Sequence, residues 1–409
     1  MSLISETTTG RKHGGTLAWI SRGRLFIRKP DEQPYEIESA FARNALQREM
    51  RNDELNAWKG RSGVWGNLGM APPGTAPWED ENSRRRIFFR TIAAGEKESE
   101  LFYVLDMGAI GGLFSYNLEE DLERRLVHRQ GFVLNGISRH PEDGRLAFAM
   151  PQQGGTVGLS IARPDGLFGR DISLSDSIDD APAWLPDGSA RLLFHSAALV
   201  RSEQGYVIGT SPYRIEMLDM ESEEAKTVHE DDEFDLLQPR QLTGGDLVFI
   251  RRPWKKNARQ SAPSLKDTAL DFLLFPYRLL RTFVHFFNFM SMMFSGKPLI
   301  TAGGLTNRNH GGDNPYLMLW GQAVDTRRAL SRDRGEEQRT PIAPSDWQLI
   351  RRDEAGNETL IAPSVLYWDL SRDGTVYWTD GRAIYRHASD GTTTTVLEAD
   401  VIERFAVLN

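Results

Sequence analysis

Two acidic runs in this sequence offer clustered hard oxygen ligands. One is residues 176–180, with Asp176, Asp179 and Asp180; the other is Glu230-Asp231-Asp232-Glu233 followed by Asp235. Clustered carboxylates of this kind can hold Ca²⁺. Their spacing lacks the alternation of a calcium loop, so both runs read as solvated acidic faces and no metal or other cofactor is expected. Eight histidines, at 13, 128, 140, 195, 229, 285, 310 and 387, form no ligand pair of the His-Glu-x-x-His type. His140 and His195 fall in strand or turn positions and read as structural. The absence of cysteine removes disulfides, thiolate metal sites and a Cys nucleophile. Neither a Gly-x-Ser-x-Gly elbow nor a Gly-x-x-x-x-Gly-Lys phosphate loop occurs. The glycine-rich stretch from Gly303-Gly304 to Gly311-Gly312-Asp313 lacks a strand before it and a helix after it, and reads as a linker.

Composition narrows the classes further. A chain of 409 residues with 40% hydrophobic and 26% charged residues has ample material for a core. Its net charge of −8 argues against nucleic acid as the main partner, because phosphate binding needs a basic footprint. Residues 1–6, Met-Ser-Leu-Ile-Ser-Glu, lack the pattern of a secretory signal, so a cytoplasmic location is expected.

The elements that would position any site are announced by a repeated phrase, a small polar turn followed at once by a strand. It stands at His140-Pro141-Glu142-Asp143-Gly144, at Leu185-Pro186-Asp187-Gly188 and at Ser371-Arg372-Asp373-Gly374. A variant without the Asp stands at Leu242-Thr243-Gly244-Gly245. Asp-Gly suits a tight turn because Gly accepts the positive φ such turns need. Copies tens of residues apart imply a repeated β unit. Short β-rich runs flank each turn, for example 132–138, 145–150 and 157–162 in one unit and 181–185, 190–199, 213–220 and 224–229 in the next. An earlier unit holds runs at 86–91, 100–107 and 124–128. The first unit has runs at 16–21, 24–29 and 35–38, and a lone apolar run at 401–408 would complete it and leave no free edge.

These turns resemble the blade repeats of TolB-like, WD-like β-propellers, with Trp184-Leu185-Pro186-Asp187-Gly188 the best match. The resemblance implies an all-β fold, a six-bladed β-propeller closed by the C-terminal strand. It also allows the propellers that work with bacterial ATPase and von Willebrand A-type partners. The expected organisation is blades over 1–251 with a helical insert at 39–60, an insert over 252–345 splitting the fifth blade, and the rest of the propeller over 346–409. First strands of blades line a central tunnel, which makes Asn135, Asp180, Gln238, Arg240, Asp369 and Arg404 the candidate tunnel residues.

The long insert carries the least blade-like sequence. A helix is expected over 268–295, with an apolar surface of Phe272, Leu279, Leu280, Phe283, Phe287, Met290 and Phe294. Its uncharged run, 282–296, is shorter than the roughly 20 residues a bilayer needs. Trp254 and a basic stretch of Arg251, Arg252, Lys255, Lys256, Arg259 and Lys266 precede it. A basic cluster beside an apolar helix suits an anionic membrane surface. A Met- and Phe-rich face equally suits a protein partner, packing on the propeller itself, or a homodimer. Two function classes therefore stand: a non-enzymatic interaction scaffold docking through this insert, and a hydrolase or lactonase with a polar or Ca²⁺-binding tunnel mouth.

Overall fold

A computed structural model of the protein describes residues 15–62, 87–108, 110–166, 168–172, 176–254, 316–319, 322–325 and 339–408. The chain divides into two units: Met1–Glu38, Ile87–Lys255 and Asn309–Asn409 form one, and Ser39–Arg86 with Lys256–Arg308 the other. In the second unit the described element is α1 (Ala40–Ser62). Ser39 starts it as an N-cap, its Oγ accepting the Ala42 N–H at 3.1 Å.

The first unit is built of short strands. They run β1 (Thr16–Ser21), β2 (Arg24–Arg28), β3 (Tyr35–Ile37), β4 (Phe88–Ala94), β5 (Glu100–Asp106), β6 (Ile110–Asn117) and β7 (Leu122–Gln130). Next come β8 (Ile137–Arg139), β9 (Leu146–Pro151), β10 (Val157–Ala162), β11 (Phe168–Ile172), β12 (Ser177–Trp184), β13 (Arg191–Arg201), β14 (Val207–Thr210), β15 (Arg214–Asp219) and β16 (Glu224–His229). The rest are β17 (Phe234–Gln241), β18 (Leu247–Pro253), β19 (Tyr316–Leu319), β20 (Gln322–Asp325), β21 (Gln348–Arg352), β22 (Glu358–Ala362), β23 (Tyr367–Leu370), β24 (Val376–Thr379), β25 (Ala383–His387), β26 (Thr393–Glu398) and β27 (Arg404–Leu408).

Antiparallel pairing groups them into β4-β5-β6-β7, β17-β18-β21-β22 and β23-β24-β25-β26, with β19-β20 as a separate hairpin. The β8–β11 and β12–β16 groups are joined through one parallel bridge, Val157↔Ile178. The last strand adds to the first sheet: β27 pairs with β1 from Thr16↔Leu408 to Ile20↔Arg404, giving the order β27-β1-β2-β3. Middle strands such as β5 and β6 are buried on both faces, whereas the last strands, β7, β16, β22 and β26, are largely exposed and carry charged or Thr side chains. Charged outer edges protect a sheet from pairing with another chain. At the repeated turns Gly144, Gly188, Gly245 and Gly374 all have φ between 72° and 92°, which is why glycine closes the phrase.

First strands of successive sheets lie against one another: β27 on β4, β4 on β8, β8 on β12, β12 on β17, and β23 on β27. Hydrogen bonds between Gln238 and Trp368 join β17 to β23.

The structure departs from the sequence expectation at several strands. The run expected at 132–138 forms a ladder only from Ile137; ahead of it the Asn135 N–H donates to the Ala149 carbonyl. Strand β6 was hidden by Gly111-Gly112, a pair that reads as a turn. A Cβ on Gly111 would stand 1.8 Å from the Phe132 carbonyl oxygen, so the strand requires glycine there. Strands β14, β19 and β20 were also not anticipated.

Candidate functional site

Strands β12 and β17 share a local distortion where the first strands converge. Register shifts fall between Asp180 and Ala183 in β12 and between Leu237 and Arg240 in β17. Ala181 and Gln238, each followed by proline, adopt φ of 51° and 52°. Left-handed non-glycine backbone costs of order 1–3 kcal/mol and persists only where its surroundings hold it. A bulge here re-aims side chains out of the ladder.

The structure brings all six candidate tunnel residues into linked contacts. Asn135 Nδ2 donates to Asp180 Oδ2 at 3.2 Å. Arg404 Nη1 donates to the Asn135 carbonyl at 3.0 Å and to Thr91 Oγ1 at 3.3 Å, and its guanidinium lies 5.8 Å from the Tyr367 ring centre. Arg240 pairs with Asp369 at 2.5 Å, and the other Asp369 oxygen accepts the Val407 N–H at 3.0 Å. Gln238 Nε2 donates to the Trp368 carbonyl at 2.7 Å, and Trp368 Nε1 returns a bond to the Gln238 carbonyl at 3.0 Å. Every first strand or its lead-in segment thus contributes. Asp180, Gln238 and Asp369 are buried; Asn135, Arg240 and Arg404 stay partly exposed.

Burial sets the electrostatics. It pushes the Asp180 carboxyl above its ordinary range, against the Arg404 charge and the hydrogen bonds from Ala181 N–H and Asn135. Burial, then the charges of Arg252 and Arg404, lowers His195 to about 3, so its ring is neutral. Its Nδ1 accepts the Gln238 N–H at 3.1 Å, which leaves the proton on Nε2. Gln238 Oε1 is buried without a hydrogen-bond partner.

The acidic runs need correction. Asp179 is buried and accepts from Ser177 and Ser196, and Asp235 is buried against Arg252 at 2.9 Å, so neither run is simply a solvated face. The exposed members are used locally: Asp176 pairs with Arg201, and Asp231 accepts the N–H groups of Glu233 and Phe234. Among the described residues no group of three or more His, Asp or Glu side chains is arranged to hold a metal ion.

The basic stretch also changes. Arg252 is 2% exposed and lies 5.1 Å from the Trp347 ring centre, while Arg251 bonds Glu358 and Gln348. Both serve the sheet rather than an outer surface. Trp254 is partly buried, its N–H donating to the Glu233 carbonyl at 2.8 Å. Lys255, Lys256, Arg259, Phe272, Leu279, Leu280, Phe283, Phe287, Met290 and Phe294 lie outside the described residues. Sequence reasoning missed Thr91, His195, Arg252, Tyr367 and Trp368 as members or neighbours of the cluster.

No family model matches the sequence, and neither does any curated protein. Solved structures do. TolB from Acinetobacter baumannii aligns at 12% identity with a TM-score of 0.48, over 96% of this chain and 66% of that one. The tricorn protease aligns at 11% identity and 0.45, over 94% of this chain and 33% of that one. A chain of the nidogen/laminin complex aligns at 8% identity and 0.45, over 96% and 98%. At these identities the likeness concerns fold alone, and the chain spans less than two thirds of the TolB chain and one third of tricorn.

Proposed function

We propose that the first unit is a six-bladed β-propeller closed by β27, and that it works as a non-enzymatic scaffold presenting the insert between β18 and β21. The cycle of contacts among the first strands supports the architecture. One observation carries the functional reading: the fifth sheet is complete without the insert. Strands β18 and β21 pair in unbroken register from Leu247↔Arg352 to Arg251↔Gln348, although residues 254–347 intervene. That excursion is not needed to build the sheet, yet it carries the apolar stretch 268–295 and is the least blade-like sequence of the chain. Such a segment is kept on a scaffold for what it contacts. The tightly cross-linked polar cluster at the centre acts in this reading as a rigid hub rather than a reaction site.

The test is to replace residues 256–338 by a short Gly/Ser linker and compare flotation on vesicles containing phosphatidylglycerol. Binding by the full chain that the replacement abolishes assigns the insert to a membrane surface. If neither form floats, light scattering and capture of partners by the full chain against the replaced one decide between a second copy and another protein. Equal behaviour of the two forms in all three assays would overturn the reading. Among the described residues no helix is long and apolar enough to cross a membrane.

A further inference from the structure

Three of the repeated turns carry the same carboxylate device. Asp143 accepts the Arg145 N–H at 2.9 Å, Asp187 the Ser189 N–H at 2.9 Å, and Asp373 the Thr375 N–H at 3.0 Å. Hydrogen bonds from Ser189 and from Ser371 hold the Asp187 and Asp373 carboxyls below the usual carboxylate range. The turn is therefore an anion-accepting frame that supplies its own anion.

The fifth-sheet turn keeps the frame and lacks the anion. Gly245 N–H donates to the Leu242 carbonyl at 2.9 Å and Leu242 N–H to the Asp246 carbonyl at 2.8 Å. The equivalent bonds run from Gly374 to Ser371 at 2.9 Å and from Ser371 to Thr375 at 3.1 Å. Where the sister turns place aspartate this one has Gly244, and a Cβ there would meet nothing within 4 Å. Among the described residues the Asp246 N–H, equivalent to that of Thr375, has no acceptor.

A groove of about 820 Å³ opens beside this turn, between the β12–β16 group and the β17-β18-β21-β22 sheet. That volume is within the range of small-molecule sites. Leu185, Leu193, Met217 and Leu247 form its apolar floor, and Lys226 and Arg352 stand in its walls. Neither cation has an ion-pair partner among the described residues, whereas Arg191 is neutralised by Asp187 at 2.5 Å. Asp353 is engaged in its own turn, accepting the Asn357 N–H at 2.7 Å. Asp353 nonetheless stays ionised, so the opposing charges left are Asp353 and Glu354, the latter with its carboxylate against Gly245.

We propose that the groove beside Gly244 binds a small carboxylic acid with an apolar stem, its carboxylate taking the position that the turn aspartate holds in the sister sheets. The stem covers the Leu185, Leu193, Met217 and Leu247 floor, and the carboxylate accepts the Asp246 N–H, with Lys226 and Arg352 as the cations of the groove. A charge-assisted bond to a turn N–H is stronger than a neutral one, which selects an acid over the matching alcohol. This site is independent of the insert and of the scaffold reading.

Isothermal titration of the full chain with octanoate, N-acetyl-leucine and octanol tests it. The two acids separate a free fatty acid from the end of a peptide chain; binding of either supports the proposal and assigns the source. Octanol is expected to bind at least about tenfold more weakly than octanoate. Gly244→Asp should lower acid affinity at least about tenfold by supplying the anion in cis, and Lys226→Met with Arg352→Met should weaken it several-fold. Glu354→Gln should tighten it by removing one of the opposing charges. The proposal fails if neither acid binds at about 10 mM, if octanol binds as well as octanoate, or if Gly244→Asp leaves acid binding unchanged.

Discussion

At the scale of single residues, this fold places charge where water is absent and then compensates it. Asp235 and Arg252 are 2% exposed each and bonded to one another, with Asp235 also accepting the Tyr213 N–H at 3.0 Å. Removing one partner leaves an uncompensated buried charge, so Asp235→Asn should cost about 3–5 kcal/mol, read as a lowered urea midpoint. Replacing both by Leu and Met should recover most of that loss. His195 is neutral in the fold at about 3 against an ordinary 6.5. Its contribution is complete above pH 6.5 and is lost as pH falls toward 3, at up to about 1.4 kcal/mol per pH unit. His195→Gln keeps an acceptor for the Gln238 N–H and should flatten stability over that window in chemical denaturation. Glu403 runs the other way. Burial raises its carboxyl to about 7 from 4.5, against hydrogen bonds from the Arg22 and Gly23 N–H groups. The folded state holds that proton more tightly, so this contribution is full below pH 4.5 and gone above pH 7. Glu403→Gln should remove a decline of about 1–3 kcal/mol between those limits, measured by the same titration.

At the scale of elements, strand identity follows from what each backbone meets. The Gly111 position in β6 faces the Phe132 carbonyl so closely that any Cβ collides with backbone, which cannot swing aside. Gly111→Ala should destabilise by about 3 kcal/mol, detected as a lower thermal midpoint, while Gly108→Ala, open on all sides but at φ 82°, should cost less. The same glycines explain why β6 was illegible: composition signals a turn, and only the packing of residues 131–134 across it shows why a strand needs them. Strands β13 and β15 were legible because their apolar runs are long and bounded by turn residues. The placement of the candidate tunnel residues on first strands follows from a related signal. Each lies on or just ahead of a run that leads into a turn or, for Arg404, on the last strand, and those strands meet.

At the scale of the whole first unit, stability depends on joining the chain's two ends. Phe405, Val407 and Leu408 are at most 2% exposed, and β27 touches both β4 and β23. Deleting residues 404–408 uncovers the β1 edge and this apolar surface together. The shortened protein should lose its cooperative thermal transition and aggregate, seen by calorimetry and light scattering; a sharp transition within a few degrees of the parent would show that closure is dispensable. The joined ends also explain why the central cluster can be rigid. Arg404 reaches Asn135 and Thr91, and Asp369 reaches Val407, so polar cross-linking depends on the same strand that pairs with β1.

The sequence by itself determined the repeating turn, the grouping of short strands and the return of the final strand to the first sheet. These rest on short-range chemistry: glycine alone accepts the positive φ the turns require, and apolar runs between them must be buried. Tertiary structure alone decided which charges are buried. Arg240 meets Asp369 and Arg252 meets Asp235 across separate strands, and no local pattern encodes partners that only the assembled sheets bring within hydrogen-bond distance. The groove beside Gly244 belongs to the same class. The missing aspartate is visible in the sequence, but only the neighbouring sheet shows what its absence opens.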